Sequence, residues 1–329
     1  MRKISLIAAL GIVLFAACNK NKNVQQEITD PENENVALSR KVCASYDVLQ
    51  EQLKANPGLQ QKMNEIERFT QKVLANPAAY RVLADGTLEI PVWVNVLYRT
   101  AAQNISNAQI QSQIDVLNAD FAATNSDYGL TPSTFTAVRS GDIKIRFIWS
   151  TANVTRKSTT KTSWSTNDAM KKSSGGGINP TNPTTTLNLW VCNLSGGILG
   201  YAQFPGGASS TDGVVIDDNV FGTTGSATAP FNKGRTATHE VGHWFNLRHI
   251  WGDATCGNDF VGDTPLHTGA NYGCPAAGTR STCTGTPIMM TMNYMDYTDD
   301  ACMYMFTAGQ ALRMQATYAV GGPRAGLRP

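Results

Sequence analysis

The chain has 329 residues, of which 42% are hydrophobic and 16% are charged, and its net charge at pH 7 is +2. These values are ordinary for a globular protein of one or two domains. The balanced charge, without a basic patch interleaved with aromatic residues, gives no indication of a nucleic-acid partner. The basic cluster between Arg156 and Lys172 lies among Ser and Thr residues, and we interpret it as a solvated loop.

The first residues are typical of an export signal. Basic residues precede an apolar run from Ile4 to Ala17, which fits a signal-peptide core and is too short for a spanning helix. Small residues stand directly before Cys18, as in a bacterial lipobox, whose cysteine carries the lipid. We predict a lipoprotein signal over residues 1–18 and a location in the bacterial cell envelope. An ordinary secretory signal is the alternative, because Phe15 stands where Leu is commoner.

Residues 19–84 are predicted to be a polar tether followed by a helical segment. Seven of the eight glutamates precede Ile90, which indicates a boundary between two functionally different parts of the chain. Apolar residues in the first part recur at helical spacing, with an interruption at Pro57 and an end at Pro77. This segment also contains one cysteine, Cys43.

Residues 85–329 have the pattern of an α/β domain. A helix is predicted after Ser106, with Gln109 completing a capping box, and a last helix after Thr307, with Gln310 in the same role. Runs and alternations of apolar residues predict a five-stranded sheet. Its predicted strands are Pro91–Leu97, Ile143–Phe147, Leu187–Val191, Leu199–Phe204 and Val214–Ile216.

Three of the four histidines lie in one stretch of eleven residues, from His239 to His249. On a helix, residues four apart share a face, so His239 and His243 can offer two imidazoles to one metal ion. A left-handed residue at Asn246 would end the helix and turn the chain back, so that His249 supplies a third nitrogen. The spacing matches the zinc-protease pattern H-E-x-x-H-x-x-G-x-x-H, with Asn in place of Gly.

Glu240 is the only glutamate between Ile90 and the last residue of the chain. It lies between the two helical histidines, where a metalloprotease has its general base. No glutamate follows it, which excludes zinc proteases that take a third ligand from a downstream Glu. Three protein ligands leave the fourth tetrahedral position for water, as in a catalytic zinc site.

Metzincin proteases have a methionine turn beneath the metal, and Asn293–Tyr297 lies where one is expected. Met295 would lie under the histidines, and Tyr297 could bring its hydroxyl toward the scissile carbonyl. The alternative is a core strand rich in Met and Tyr. With the zinc motif and the segments Gly262–Pro265 and Phe306–Met314, this turn makes the chain resemble the pappalysin family of metzincins.

The resemblance covers about residues 90–320. It implies an α/β metzincin fold with a twisted mixed sheet, an active-site helix and a loop-rich C-terminal subdomain. It further implies one catalytic zinc and peptide or protein substrates. An extended peptide would pair with a free edge strand. The matching edge-strand residues are Leu199, Gly200, Tyr201 and Ala202.

Four cysteines bracket the region between the zinc helix and the methionine turn, namely Cys256, Cys274, Cys283 and Cys302. An even number in an exported protein indicates disulfides, and three pairings are open from the sequence. A structural zinc site is disfavoured because the chain has no C-x-x-C pair. The family resemblance selects Cys256 with Cys283 and Cys274 with Cys302.

Acidic residues in the same loop offer hard oxygen ligands, and the resemblance implies calcium there. The candidate ligands are Asp253, Asp259, Asp263 and Thr264. The alternative is hydrogen bonding within loop turns. By resemblance, Asp300 binds a basic side chain on the carboxyl side of the cut bond, with a surface turn residue as the alternative.

Cys43 resembles the cysteine by which the family's pro-segment binds the zinc and keeps the precursor inactive. A free thiol or a disulfide with Cys192 is the alternative. We expect maturation between about Ala79 and Glu89, and Tyr80-Arg81 is a bond of the expected specificity. The chain is thus predicted to be a zinc endopeptidase that is made as a latent precursor and is monomeric. A zinc-bearing envelope lipoprotein that only binds is the alternative, and Glu240 argues against it.

Overall fold

We describe a computed structural model of the chain, which covers residues 43–80 and 86–328. The predicted signal, the lipobox Cys18 and the tether before Cys43 lie outside these ranges, as does Arg81 of the expected maturation bond. Within the described residues, no helix is both long and apolar enough to cross a membrane.

A twisted sheet of six strands forms the centre of the fold. The strands are β1 (Leu88–Tyr98), β2 (Ile145–Ile148), β3 (Val154–Ser158), β4 (Leu187–Cys192), β5 (Gly200–Ala202) and β6 (Val214–Asp217). The strand order is β2-β1-β4-β6-β5; β2 pairs with the first half of β1 and β3 with its second half. All pairs are parallel except that between β5 and β6, so β5 is an antiparallel edge strand. The mixed α/β fold is confirmed, with six strands instead of five.

The additional strand is β3, which overlaps the start of the segment from Arg156 to Lys172 that we interpreted as a solvated loop. Its residues are mostly polar, so no apolar alternation marks it. Its backbone pairs with the second half of β1, from Val94 to Tyr98. Arg156 on this strand donates hydrogen bonds to Asn104 and Asn107. Backbone pairing and these side-chain bonds replace the apolar burial that the sequence pattern would have shown.

Five α-helices lie in the described ranges. They are α1 (Ser45–Ala55), α2 (Pro57–Ala75), α3 (Asn107–Phe121), α4 (Arg235–Trp244) and α5 (Ala308–Tyr318). The predicted interruption separates α1 from α2, where the side chain of Asn56 accepts a hydrogen bond from Gly58 N at 3.2 Å. Pro57 is the first residue of α2, where its missing N–H costs nothing.

The two predicted capping boxes differ in the structure. Thr307 and Gln310 form both reciprocal bonds at the start of α5. Ser106 accepts the bond from Gln109 N, but the Gln109 side chain donates to Phe221 O and Ser226 Oγ instead of returning to the cap. The second half of that prediction is wrong, because this buried amide joins α3 to the loop after β6.

Helix α4 lies beside strands β5 and β6, and all ten of its residues are buried. Ala237, Val241 and Trp244 belong to the main apolar core. The start of the helix is fixed by Arg235, whose guanidinium forms ion pairs with Asp120 and Asp127. With one face in the core, the helix places Glu240 beside Gly200 of the edge strand, while Thr238 bonds Asp120 of α3.

The N-terminal helices pack on the rest of the chain at two places. Leu49 of α1 and Leu59 and Met63 of α2 form an apolar cluster with Phe204, which follows β5. Further along α2, Glu67 forms an ion pair with a side chain of α5. Residues 45–75 therefore cover both the end of the edge strand and the last helix.

Candidate active site

The three histidines of the motif meet at one point. His243 Nε2 lies 3.1 Å from His239 Nε2 and 3.1 Å from His249 Nε2. Two nitrogens about 2.0–2.1 Å from a tetrahedral zinc would be about 3.3 Å apart, so the observed spacing fits that ion. All three rings are buried.

The other ring nitrogens fix which tautomer each histidine adopts. Nδ1 of His239 lies 2.6 Å from Tyr294 O, and Nδ1 of His243 lies 2.8 Å from Leu247 O. Nδ1 of His249 bonds a carboxylate oxygen of Asp253. These oxygens only accept, so each Nδ1 donates and each Nε2 keeps a lone pair for a metal. The donor set therefore fits zinc, and Asp253 acts through His249.

Their surroundings lower the pKa of two of the imidazoles. Burial lowers the pKa of His239 to about 3, with His249 adding to the effect. Burial likewise lowers the pKa of His243, reinforced by the neighbouring histidines. Both rings are neutral at pH 7, which is the protonation state that a metal requires.

The turn after α4 has the predicted geometry. Asn246 has φ 71°, in the left-handed region, and it brings Leu247 N within 3.0 Å of Gly242 O. Met295 is fully buried beneath this turn. A Cβ atom on Gly242 would lie 2.6 Å from the sulfur of Met295, so a larger residue there would force the methionine to move. The methionine turn and the zinc helix are thus in direct contact.

Glu240 lies beside the histidines and is fully buried. Its Oε1 has no hydrogen-bond partner, while Oε2 accepts bonds from Ser45 Oγ at 2.7 Å and from the Cys43 thiol at 3.5 Å. Burial raises the pKa of Glu240 to about 8, although these two bonds oppose the shift. A buried carboxyl oxygen without a partner indicates a missing ligand such as water.

Cys43 lies over the three histidines. Its Sγ and the three histidine nitrogens all lie within 4.8 Å of one another. The backbone beside it pairs with the edge strand, since Ala44 N donates to Gly200 O at 3.0 Å. The pairing of Cys43 with Gly200 is parallel. Cys43 and Cys192 are both free, so the alternative disulfide between them is not formed.

Ser45 is a site residue that the sequence analysis did not identify. Its hydroxyl donates to Glu240 and accepts a bond from Ala202 N at 2.8 Å. It therefore joins the carboxylate beside the histidines to the edge strand. A serine at the start of a helix is usually interpreted as a cap, and this contact arises only from the tertiary fold.

Tyr297 completes the ring of groups around the histidines. Its hydroxyl lies 3.0 Å from His249 Nε2 and donates to Cys43 O at 3.3 Å. The ring of Trp251 stacks on His249 with centroids 4.4 Å apart and contacts the edge of Tyr297. Burial raises the pKa of Tyr297 well above its ordinary value, so the hydroxyl is protonated.

The edge strand is braced from the sheet face opposite the histidines. The hydroxyl of Tyr201 donates to Asp168 at 3.0 Å, and Lys171 forms an ion pair with that carboxylate at 2.9 Å. Lys171 is fully buried, lies over the ring of Tyr201 and donates to Thr211 O. Lys171 is therefore not a solvated side chain, because a carboxylate, a carbonyl and an aromatic ring replace its water.

Asp300 lines a pocket beside Glu240 and His239. It is buried, and its Oδ2 accepts bonds from Lys233 N at 2.7 Å and Arg235 N at 3.2 Å, at the start of α4. Burial raises the pKa of Asp300 to about 6, against the effect of those two backbone bonds. The residue thus has a structural bond to the active-site helix as well as a position in the pocket.

The candidate calcium ligands have hydrogen-bond partners within the protein. The carboxylate of Asp259 accepts from Thr264 Oγ1 and Val261 N. That of Asp263 accepts from Thr307 Oγ1 and Gly309 N at the start of α5. These bonds give each residue a role without a metal ion, and calcium stays a prediction.

The disulfides have the pairing that the resemblance implied. Cys256 bonds Cys283, and Cys274 bonds Cys302. Both bridges join loops after the zinc helix, where the described chain has little regular structure. The bridge between Cys274 and Cys302 ties this segment to the region of Asp300, two residues before Cys302.

Three imidazole nitrogens around one point, with a buried carboxylate beside them, define the site of a metal-dependent peptidase. Residues 181–319 match the family model described as pregnancy-associated plasma protein-A. An extracellular metalloprotease of Verticillium alfalfae is 33% identical over 246 residues, which cover 70% of this chain and 78% of that relative. The chain belongs to the pappalysin family of metalloproteases.

Solved structures resemble it over larger parts of the chain. Mature mirolysin of Tannerella forsythia in complex with a cleaved peptide is 48% identical, with a TM-score of 0.71, over 74% of this chain and 96% of that one. A promirolysin variant of the same organism is 43% identical, with a TM-score of 0.78, over 88% and 97%. The match to the precursor form includes more of this chain than the match to the mature form.

Proposed function

We propose that this metalloprotease is an endopeptidase, made as a latent precursor, that cuts peptide bonds before Arg or Lys. The observation that carries the proposal is the buried Glu240 carboxylate beside three histidine nitrogens directed to one point. The same site is covered by Cys43 and Ser45 of the N-terminal segment. The same set of contacts therefore supports both the activity and the latency.

The chemistry follows from the positions of the side chains. A zinc ion bound by the three histidines supplies a Lewis acid and lowers the pKa of a water molecule. Glu240 accepts the proton of the attacking water and returns it to the leaving amine. Tyr297, adjacent to His249, donates a hydrogen bond to the oxygen on which negative charge develops. Asp253 keeps His249 in the tautomer that binds metal.

The edge strand positions the substrate backbone. Gly200 O already accepts a hydrogen bond from the N-terminal segment, so its backbone groups are available to a second extended chain once that segment leaves. A Cβ at Gly200 would lie 3.0 Å from the Glu240 side chain, which explains the small residue at this point. The brace through Tyr201 and Asp168 keeps this short strand in place.

The N-terminal segment has the contacts expected of an inhibitory pro-segment. With the three histidines, Cys43 would provide a fourth ligand to zinc, and a thiolate is a strong ligand for that ion. Ser45 meanwhile occupies Oε2 of Glu240. One segment would thus compete with water at the metal site and engage the general base.

The cell-envelope location of the precursor also remains a proposal. It depends on Cys18 and residues 1–18, and the curated relatives are named extracellular metalloproteases. Lipid on Cys18 would place the anchor on the pro-segment, so that maturation releases the catalytic part. Mass spectrometry of the N-terminal peptide would show the lipid, and an unmodified Cys18 would contradict this anchor.

Metal removal tests the assignment of both ions. Chelation should abolish peptide cleavage by the matured enzyme, and zinc alone should restore it, because the three imidazoles provide the zinc ligands. Calcium alone should raise the unfolding temperature by binding the folded loop, without restoring cleavage. Cleavage in zinc-free protein would contradict the zinc mechanism. An unfolding temperature that calcium does not change would remove the calcium prediction.

The proposed specificity depends on Asp300. We expect Asp300→Asn to reduce the preference for Arg after the cut by about tenfold or more, since a charge-assisted bond is lost. Asparagine can still accept the bonds from α4, whereas Asp300→Ala should also destabilise the fold by about 1–2 kcal/mol. Because the pKa of Asp300 is about 6, the preference for Arg should weaken as the pH falls below that value.

A peptide library read by mass spectrometry measures this preference. Asp299→Asn is the matched control, because it removes the adjacent negative charge and leaves the pocket residue unchanged. Unchanged preference in Asp300→Asn would remove the specificity assignment while leaving the zinc mechanism intact. Arg should be preferred to Lys, because its guanidinium can form two bonds to a carboxylate.

A further inference from the structure

A pair of arginines lies close to the active site but takes no part in the proposed chemistry. We call Phe204, Arg248, Phe260 and Arg313 the arginine site. The guanidiniums of Arg248 and Arg313 each lie 5.7 Å from the ring centroid of Phe260. Arg248 also lies 5.6 Å from the ring of Phe204, which packs at 5.2 Å on the zinc-site residue His243. The arginine site is thus continuous with the histidine cluster.

A carboxylate from the pro-segment occupies this site. Glu67 of α2 accepts two parallel bonds from Arg313, at 3.0 and 2.8 Å. Such a two-bond pair is the strongest arrangement between a guanidinium and a carboxylate. Burial alone would raise the pKa of Glu67, but the bonds and charge of Arg313 bring it below its ordinary value. The precursor therefore shows which chemical group the site accepts.

The arginine site has a strained backbone and an unpartnered donor, neither of which is needed to pack helix α2 against it. Phe260 has φ 63°, a left-handed conformation that is costly for a bulky residue, and its side chain is 41% exposed. Arg313 is only 1% exposed, and its Nε has no hydrogen-bond partner. Arg313 also donates to Phe260 O at 3.2 Å. Removal of the pro-segment would take away the only carboxylate that bonds this guanidinium among the described residues.

The nearby acidic residues do not replace Glu67. Asp253 is bonded to the zinc ligand His249. Asp259 interacts with the charge of Arg313, but its carboxylate accepts hydrogen bonds from Thr264 and Val261. Without Glu67, the only hydrogen bond that Arg313 keeps among the described residues is to the backbone oxygen of Phe260, so a new carboxylate would regain the two-bond, charge-assisted pair.

We propose that, in the matured enzyme, the arginine site binds an acidic side chain of the peptide substrate, as a second specificity site distinct from the Asp300 pocket. Four successive contacts of 5.2–5.7 Å lead from His243 to Arg313, so Arg313 lies no more than about seven residues of extended peptide from the cut bond. The proposal rests on the proposed protease function, because the site opens when the pro-segment is removed. Glu67 occupies in the precursor the position that substrate Glu or Asp occupies afterwards.

The test uses matched peptides that contain one cleavable bond and differ only in Glu or Gln. The substitution is placed three to seven residues from the cut, on either side. Matured wild-type enzyme should cleave the Glu peptide at least five times faster, in kcat/KM, at one of these positions. Arg313→Gln should lose this preference, and the Gln peptide should be cleaved within about twofold of wild type, which shows that the variant is folded. Arg99→Gln, which removes an exposed arginine after β1, is the control and should keep the preference.

The outcomes separate this proposal from the protease proposal. The same peptides are also tested for binding to metal-free matured protein by fluorescence anisotropy. If metal-free protein binds the Glu peptide in preference to the Gln peptide, but the matured enzyme cleaves neither, the protease proposal is overturned and the arginine site is supported. If wild-type enzyme cleaves the Glu and Gln peptides equally well, the arginine site is overturned. The same holds if Arg313→Gln keeps the wild-type preference for Glu. If only a peptide of residues 57–75 binds there, the site serves the pro-segment alone and the substrate role is wrong.

Discussion

Glu240→Ala should abolish peptide cleavage while leaving the fold and the zinc site intact. The three imidazoles are ligands and Glu240 is a base, so the variant should bind about one zinc ion per chain. General-base catalysis typically contributes about 10²–10⁴-fold, which is the minimum loss that we expect. Oε1 has no hydrogen-bond partner, and the two donors to Oε2 are Ser45 and Cys43 of the pro-segment. In the matured enzyme, removal of the carboxylate therefore leaves no buried donor without a partner and should not destabilise the fold.

Casein cleavage and zinc content, measured on the same samples, test this expectation. Glu240→Gln should be equally inactive, because it keeps the size of the side chain but cannot accept the proton. Asp115→Ala is the control, since it removes an exposed carboxylate from α3. Cleavage by Glu240→Ala within tenfold of wild type would contradict the mechanism. Loss of zinc together with activity would mean that Glu240 maintains the metal site.

The histidine cluster was predictable because its geometry is local. His239 and His243 are related by one turn of helix, and Asn246 supplies the left-handed residue that brings His249 back. Each relation follows from backbone geometry over a few residues. The methionine turn was predictable only by resemblance, because nothing local shows that Met295 reaches Gly242.

The parts that the sequence did not reveal depend on contacts between distant residues. Strand β3 has no apolar alternation, and its pairing with β1 is visible only in the sheet. Lys171 appeared as one charge in a basic cluster, yet the fold buries it against Asp168 and Tyr201. Gln109 matched a capping box, but a loop more than a hundred residues away competes for its side chain.

Asp300 shows how a tertiary role adds to one predicted from the sequence. Resemblance assigned it to a specificity pocket, and it does line a pocket beside Glu240. Its bonds to the first residues of α4 could not be predicted, because they join segments 65 or more residues apart. One carboxylate thus links the position of the zinc helix to the wall of the pocket.

Cys43→Ala in the full-length precursor should raise peptide cleavage at least tenfold before any maturation. The thiol lies within 4.8 Å of all three histidine nitrogens, and alanine offers no ligand to compete with water. Ser45 would still occupy Glu240, so the single variant should remain less active than the matured enzyme. Adding Ser45→Ala should raise activity further, because it frees the general base and weakens the pairing with β5.

The measurement is the initial rate of peptide cleavage, with the intact mass of the precursor checked at each time point. This check separates true precursor activity from the activity of newly matured enzyme. Cys192→Ala is the matched control, because it removes the other free buried cysteine of the described residues, which lies on β4. If Cys43→Ala is no more active than wild-type precursor, Cys43 does not maintain latency. Equal activity in the single and double variants would instead restrict latency to the thiol, because the Ser45 bond to Glu240 would then make no measurable contribution.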